Sequence, residues 1–347
     1  MLAKIEIVSP GLHSTIQDRG RYGGLDYGVS ESGAMDVFAY NCANAIVGNQ
    51  EGAPAIEILG GSFKGLVLGK AMICVTGAVT EMKINSVKVR LWENYLLNKG
   101  DVIELESCKA GMRNYFAIQG DWHGLDQFLG SFSTDEKAKI GGLAGRKLLR
   151  GDVLHVEWAL KADKRSLATF DDPYFRQMKS RVKDVRVLLG PQEDAFTFEG
   201  INTFFRSEYE MTTMSNRMGL RLKGQVIEHV GSPELLSDGI PFGAIQIPGD
   251  GQPIIMMADR QTTGGYTKIG TVVSTDLPVL AQTRPGEFIR FIKIELDELK
   301  KIDSERAGRR NVPIQKKEET EILSSRQFTV IVNNRQYDLL VEELETV

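Results

Sequence analysis

The apolar residues of this chain come in short, mostly β-branched runs, Ala71 to Val75, Val102 to Leu105, Val185 to Leu189, Ile254 to Met257 and Phe288 to Ile294, separated by glycine-rich turns. Branched side chains pack best on a pleated sheet, and runs this short suit strands, so the chain reads as mainly β, a β-rich α+β protein with few helices. At 347 residues it exceeds what one core usually supports, and two lobes are expected. The stretch Lys161 to Lys183 mixes charges around Asp171-Asp172-Pro173 and marks the boundary, dividing residues 1–165 from 166–296.

One helix stands out from about Ala34 to Val47. Met35, Phe38, Ala39, Cys42, Ala43 and Ile46 recur at helical spacing, Gly48-Asn49 supplies a stop, and Ser32 is a candidate cap. A second helix is expected between Ala195 and Phe205, weakened by Gly200, and a short one after Asp276. Residues Leu296 to Arg310 read as an exposed charged helix that leads into a polar connector, so 297–325 is taken as helix and linker. A terminal hairpin occupies 326–347, its strands Gln327 to Val332 and Gln336 to Leu340 turning at Asn333-Asn334.

A net charge of -4 gives no electrostatic footprint for nucleic acid. No apolar run approaches the roughly 18 residues of a membrane span. The start of the chain, with Lys4 and Glu6 among apolar residues, lacks the continuous apolar stretch of a secretory signal, so a cytoplasmic protein is expected. Cys42, Cys74 and Cys108 are far apart and form no C-x-x-C pair, which favours buried thiols over zinc or disulfides. His13, His123, His155 and His229 are scattered singly. No Ser-His-Asp or Cys-His spacing and no complete Walker A sequence occurs.

Three polar, glycine-rich segments can hold a charged ligand. In the first, Gln17-Asp18-Arg19-Gly20-Arg21-Tyr22-Gly23-Gly24 is followed by Ser30-Glu31-Ser32-Gly33-Ala34-Met35-Asp36 at the helix entrance, where unpaired N–H groups and arginines suit an anion; a turn held by an Asp–Arg pair, with Asp36 steadying the first helical turn, is the reading that the residues alone favour. In the second, Arg217 beside Met218-Gly219 can grip a carboxylate or phosphate, or pin its loop to a nearby aspartate. The third contains Gln246, then Asp259-Arg260-Gln261-Thr262-Thr263-Gly264-Gly265-Tyr266 directly after an apolar strand. So many donors on one loop require partners, either internal or in a ligand.

Taken in order, Pro10-Gly11-Leu12, Gln17-Asp18 to Arg21, Ser32 to Asp36, Gly48-Asn49, Gly190-Pro191-Gln192, Arg217-Met218-Gly219, Gln246 to Pro253 and Met257 to Tyr266 resemble the signature segments of the biotin-dependent carboxyltransferase (KipA-like, allophanate hydrolase subunit 2) family. The likeness covers roughly residues 4 to 292. It implies lobes with cyclophilin-like β-barrels and a partner of the KipI or allophanate hydrolase subunit 1 type. Members include the C subunits of ATP-dependent 5-oxoprolinases, which act with the A and B subunits, carboxyltransferase regions that act on urea or another amide, and a regulator that binds a kinase inhibitor. A separate chain without a fused biotin carboxylase favours the first, with a small amide as substrate, ATP shared with a partner and no activity alone. In that reading Arg260, Asp259 and Arg217 are the expected catalytic residues, Asp259 orienting a donor or a metal. Gln17, Asp18, Arg21, Ser32, Asp36, Gln246, Gln261, Thr262, Thr263, Gly264, Gly265 and Tyr266 are expected to bind substrate.

Two segments resemble parts of biotin carrier domains. Glu81-Met82-Lys83-Ile84 is like an acceptor site, yet it fits an ordinary strand and turn, so covalent biotin on Lys83 is not expected. The terminal hairpin is like the opening of such a domain but stops before any acceptor lysine.

Overall fold

The computed structural model describes residues 2–157, 165–167, 173–308, 314–316, 320–332 and 335–346, with side-chain surroundings up to 302. The architecture is mainly β with few helices. Among the described residues the N-terminal lobe holds two sheets. One has seven strands, in the order Asp121–His123, Val153–Glu157, Leu2–Ser9, Lys64–Val67, Val102–Leu105, Met82–Ile84 and Val87–Val89. The other has five, in the order His13–Gln17, Ala55–Leu59, Ala110–Ile118, Ala71–Val79 and Asn94–Leu97. Alternation in the first strand buries Ala3, Ile5 and Ile7 and turns Lys4 and Glu6 to the other face, the period-two pattern its sequence shows. Helix α1 (Val37–Val47) lies on Ala71–Val79 and Ala110–Ile118, and Cys42, Ala43 and Ile46 join the same core as Ile16, Ile56 and Phe116.

The start of α1 departs from the sequence reading. Asp36, not Ser32, is its N-cap and accepts the Ala39 N–H at 2.9 Å. Ser32 lies in a left-handed turn, φ 52°, and its hydroxyl accepts from Arg21. The expected stop holds: Gly48 at φ 82° donates to the carbonyls of Asn44 and Ala45.

The second lobe is a closed barrel of seven strands, Val182–Leu189, Lys268–Val272, Ala244–Gln246, Ile254–Met256, Gly219–Lys223, Glu208–Met211 and Phe288–Lys293. The last strand returns to the first in parallel, Val182 opposite Phe288, which removes any free edge. Helix α2 (Pro173–Lys179) connects the lobes, α3 (Phe198–Arg206) closes the barrel by stacking Phe204 on Phe291 at 4.3 Å, and α4 (Leu277–Gln282) is buried throughout. The charged helix expected after Ile294 is α5 (Leu296–Gly308). Within 311–325, read from sequence as a connector, Ile314–Lys316 forms a strand pairing with Arg165–Leu167, and the hairpin strand starts already at Thr320. The Asn333-Asn334 turn lies outside the described residues.

The lobes interlock through side chains. Met35, from the entrance of α1, sits in the barrel's core cluster with Leu220, Ile255 and Met257. At the end of α4, Gln282 accepts the N–H groups of Met112 and Arg113 at 2.9 and 3.0 Å and donates to Asp36 at 2.6 Å.

Candidate functional site

The seam between the lobes gathers most of the polar residues marked in the sequence. On the N-terminal side, the loops around Gly20 and Gly33 cross so closely that a Cβ on Gly33, at φ 89°, would lie 2.8 Å from the Gly20 nitrogen. Asp18 is buried and accepts from Gly20 N, Ser131 Oγ, Ser133 Oγ and Phe132 N, all within 2.8 Å. Arg21, 1% exposed, donates to Ser32 Oγ at 2.9 Å and to the Ser133 carbonyl, and burial holds its pKa below the usual arginine value. Gln17 donates to Thr15 and to the Thr134 carbonyl. These groups are satisfied largely within the lobe, as buried polar groups must be, and they fix the loop that presents Glu31 and Ser32 to the barrel.

Across the seam stand two arginines. Arg217 forks onto Asp259 at 2.7 and 3.0 Å, reaches Glu57 at 2.6 Å and donates to the Gly33 carbonyl at 2.7 Å. Burial disfavours the charge on Arg217, but Asp259 and Glu57 outweigh it and raise its pKa. Glu57 is 4% exposed and also accepts from Met35 N and Tyr115 Oη. Burial pushes its pKa up, while Arg217 and Arg113 pull it below the ordinary glutamate value. Arg260, 2% exposed, donates to the Ile240 carbonyl at 2.8 Å and to Glu31 at 2.6 Å and lies over the Phe242 ring. Both guanidinium groups therefore have internal carboxylate partners from the opposite lobe. They act as struts between the lobes.

Beyond Arg260 the loop changes character. Thr263–Tyr266 pairs with Glu234–Gly239 as a two-stranded arm outside the barrel, and every residue of Glu234–Gly239 is exposed. Gln261, Thr263 and Tyr266 are exposed, Thr262, Gly264 and Gly265 half-buried. Among the described residues no hydrogen bond is made by the side chains of Gln261, Thr262, Thr263 or Tyr266. The base of the arm is tied down: Lys268 donates to Asp238 at 2.8 Å, and Gln192 takes the Lys268 N–H and donates to Asp238. Gln246 is buried beneath the arm, its Nε2 without a hydrogen-bond partner among the described residues, and a Cβ on Gly264 would come within 2.7 Å of that nitrogen.

Asp36 is fully buried at a third junction, where Tyr174 of α2 and Gln282 of α4 each donate to its Oδ2 at 2.6 Å. Burial, opposed by these hydrogen bonds and by the Ala39 N–H, pushes its pKa up to about 6 from 3.8. A carboxyl whose pKa is raised on folding stabilises the fold in its protonated form. That contribution is fully present below about pH 3.8 and is lost as pH rises through about 6. Asp36→Asn keeps an oxygen for the Ala39 N–H and cannot ionise. Its unfolding free energy relative to the parent should therefore rise by about 2 kcal/mol between pH 4 and 7. Denaturant titrations of both proteins at those pH values check this, and a pH-independent difference would show that Asp36 titrates normally.

Glu57, Arg113, Tyr115, Tyr174 and Gln282 complete these junctions without having been singled out from the sequence, whereas Glu31 lies in the first polar segment. Glu57 had a local signal: in Ala55-Ile56-Glu57-Ile58-Leu59 an acid interrupts an otherwise apolar strand, and a carboxylate there needs a partner. Lys83 lies in the strand Met82–Ile84 and pairs with Glu106 at 2.9 Å.

The chain is 38% identical over 303 residues to the 5-oxoprolinase C subunit of Haemophilus influenzae, covering 86% of this chain and 94% of that protein. It is 36% identical over 296 residues to the 5-oxoprolinase C subunit of Escherichia coli, covering 85% and 92%. The crystal structure of Kluyveromyces lactis urea carboxylase superposes with a TM-score of 0.79 at 25% identity, over 99% of this chain and 34% of that one. Residues 27–293, from the Ser32 turn through the paired arginines to the last barrel strand, match the model of the carboxyltransferase domain, subdomain A and B, and the chain belongs to that family.

Proposed function

We propose that the chain is the C subunit of an ATP-dependent 5-oxoprolinase, opening 5-oxo-L-proline to L-glutamate together with the A and B subunits. The observation that carries this is the near end-to-end match to two proteins of that name. The chemistry is demanding because an unstrained lactam is a poor electrophile. In this reading the amide oxygen takes the terminal phosphoryl group of ATP and releases ADP, a first water adds to the activated carbon, the C–N bond breaks to free the amine and leave an acyl phosphate, and a second water releases phosphate and the new carboxylate. What this chain contributes is a rigid frame, Arg217–Glu57–Asp259 and Arg260–Glu31, beneath an arm whose Gln261, Thr263 and Tyr266 donors are open to a ligand or a partner. A site completed only in the complex implies that the isolated chain is inactive.

The likeness to urea carboxylase supports a second reading, a carboxyltransferase component for urea or a related amide. Mixing this chain with candidate A and B subunits, or with a biotin carboxylase bearing its carrier, separates the two. The first reading expects ATP consumption and glutamate formation driven by 5-oxoproline in the A and B mixture, and none from the isolated chain. Glutamate release by the pure chain, or ATP consumption driven by urea only with the carboxylase, would overturn it.

A further inference from the structure

On the seam, Gly60, Ser107, Cys108, Gly111 and Met112 of the N-terminal lobe face Lys179, Arg181 and the Arg284–Glu287 turn of the barrel across a groove of about 720 Å³. The charges in this groove oppose the chain's net charge of -4. Its lining carries the cations Lys179, Arg181 and Arg284 against the single acid Glu287. Glu287 is already neutralised, by the fully buried Lys183 at 3.3 Å and by Arg284 at 3.1 Å. Arg284 is held in place by Glu287 and by the Lys109 carbonyl at 3.1 Å, and among the described residues its Nη2 makes no hydrogen bond. Arg181 rests its guanidinium over Phe288 at 5.5 Å. Neither it nor Lys179 has an ion pair among the described residues. Gly60, Gly111 and Gly286 line the groove without side chains, and Met112 and Pro285 give it an apolar wall.

An anchored arginine and two uncommitted cations around a concave, partly apolar space match the chemistry of a small oxyanion better than that of a structural ion-pair cluster, which would supply its own acids. We propose that this groove is a second ligand site, separate from the arm, for a small molecule bearing a carboxylate or phosphate group and a short apolar portion. Because its walls come from both lobes, a bound anion would clamp them together. The proposal does not depend on the 5-oxoprolinase reading.

The test uses the full chain alone, with inorganic phosphate and succinate as probes at constant ionic strength, read by calorimetry and by thermal unfolding. Lys179→Glu with Arg181→Glu reverses two exposed charges that make no ion pair among the described residues, Arg181 resting on the Phe288 ring. Arg221→Glu with Lys223→Glu, on exposed positions of another barrel strand, is the control. The expected result is saturable binding of one or both probes with a raised melting temperature, weakened about 10- to 150-fold by the groove variant and unchanged by the control. A preference for phosphate or for succinate assigns the headgroup. No saturable binding by the parent, or equal weakening by both variants, would overturn the site. Should the groove variant not fold, Lys179→Ala and Arg181→Ala singly must each weaken binding for the proposal to stand.

Discussion

Arg217→Ala should destabilise the isolated chain by about 3 to 5 kcal/mol, the usual cost of removing one member of a buried ionic cluster. The substitution deletes the forked bonds to Asp259, the bond to Glu57 and the bond to the Gly33 carbonyl together. Glu57 is left 4% exposed, with only Arg113, at 3.6 Å, as a cationic neighbour among the described residues. Replacing Glu57 by Gln in the same background removes the stranded charge while keeping an acceptor for Tyr115, so the double variant should recover a substantial part of the loss. Equilibrium unfolding in urea measures both steps. A single variant within about 1 kcal/mol of the parent would show that the cluster is not a strut.

Arg260→Ala is expected to lower stability and activity together. Its guanidinium fills a buried position, and its removal strands the Ile240 carbonyl and leaves Glu31 without its cation. The cost should be about 2 to 4 kcal/mol, measured as for Arg217. A turnover defect without loss of stability would instead give Arg260 a direct ligand contact.

How far this site could be read from sequence follows from the range of its bonds. Short β-branched runs, the Gly48 stop and the apolar stretch after Asp276 are local signals, and strands, helix end and α4 appear where they indicate. The polar loops were also legible, because clustered Asp, Arg and Gly residues stand out wherever they fall. Their partners were not. Glu57 lies 160 positions from Arg217, Glu31 lies 229 from Arg260, and Asp36 lies 246 from Gln282, and no periodicity links such pairs. Asp259-Arg260-Gln261-Thr262-Thr263 reads as one donor-rich loop, yet folding divides it between two buried struts and an exposed arm. Only the closed barrel, which sets where the strand Ile254–Met256 ends, determines where that division falls.

In the proposed function the ligand-directed donors lie on the arm, while the paired arginines below it hold the frame. The most direct measurement of this division is 5-oxoproline-dependent turnover of the assembled enzyme carrying Gln261→Ala with Thr263→Ala, beside the melting temperature of the same variant. Both side chains are exposed and make no described hydrogen bond, so the melting temperature should stay at the parent value. Turnover should fall about 10- to 100-fold through the loss of two contacts of about 1 kcal/mol or somewhat more each. Parental turnover at parental stability would contradict the division and place the ligand elsewhere on the chain or wholly on its partners.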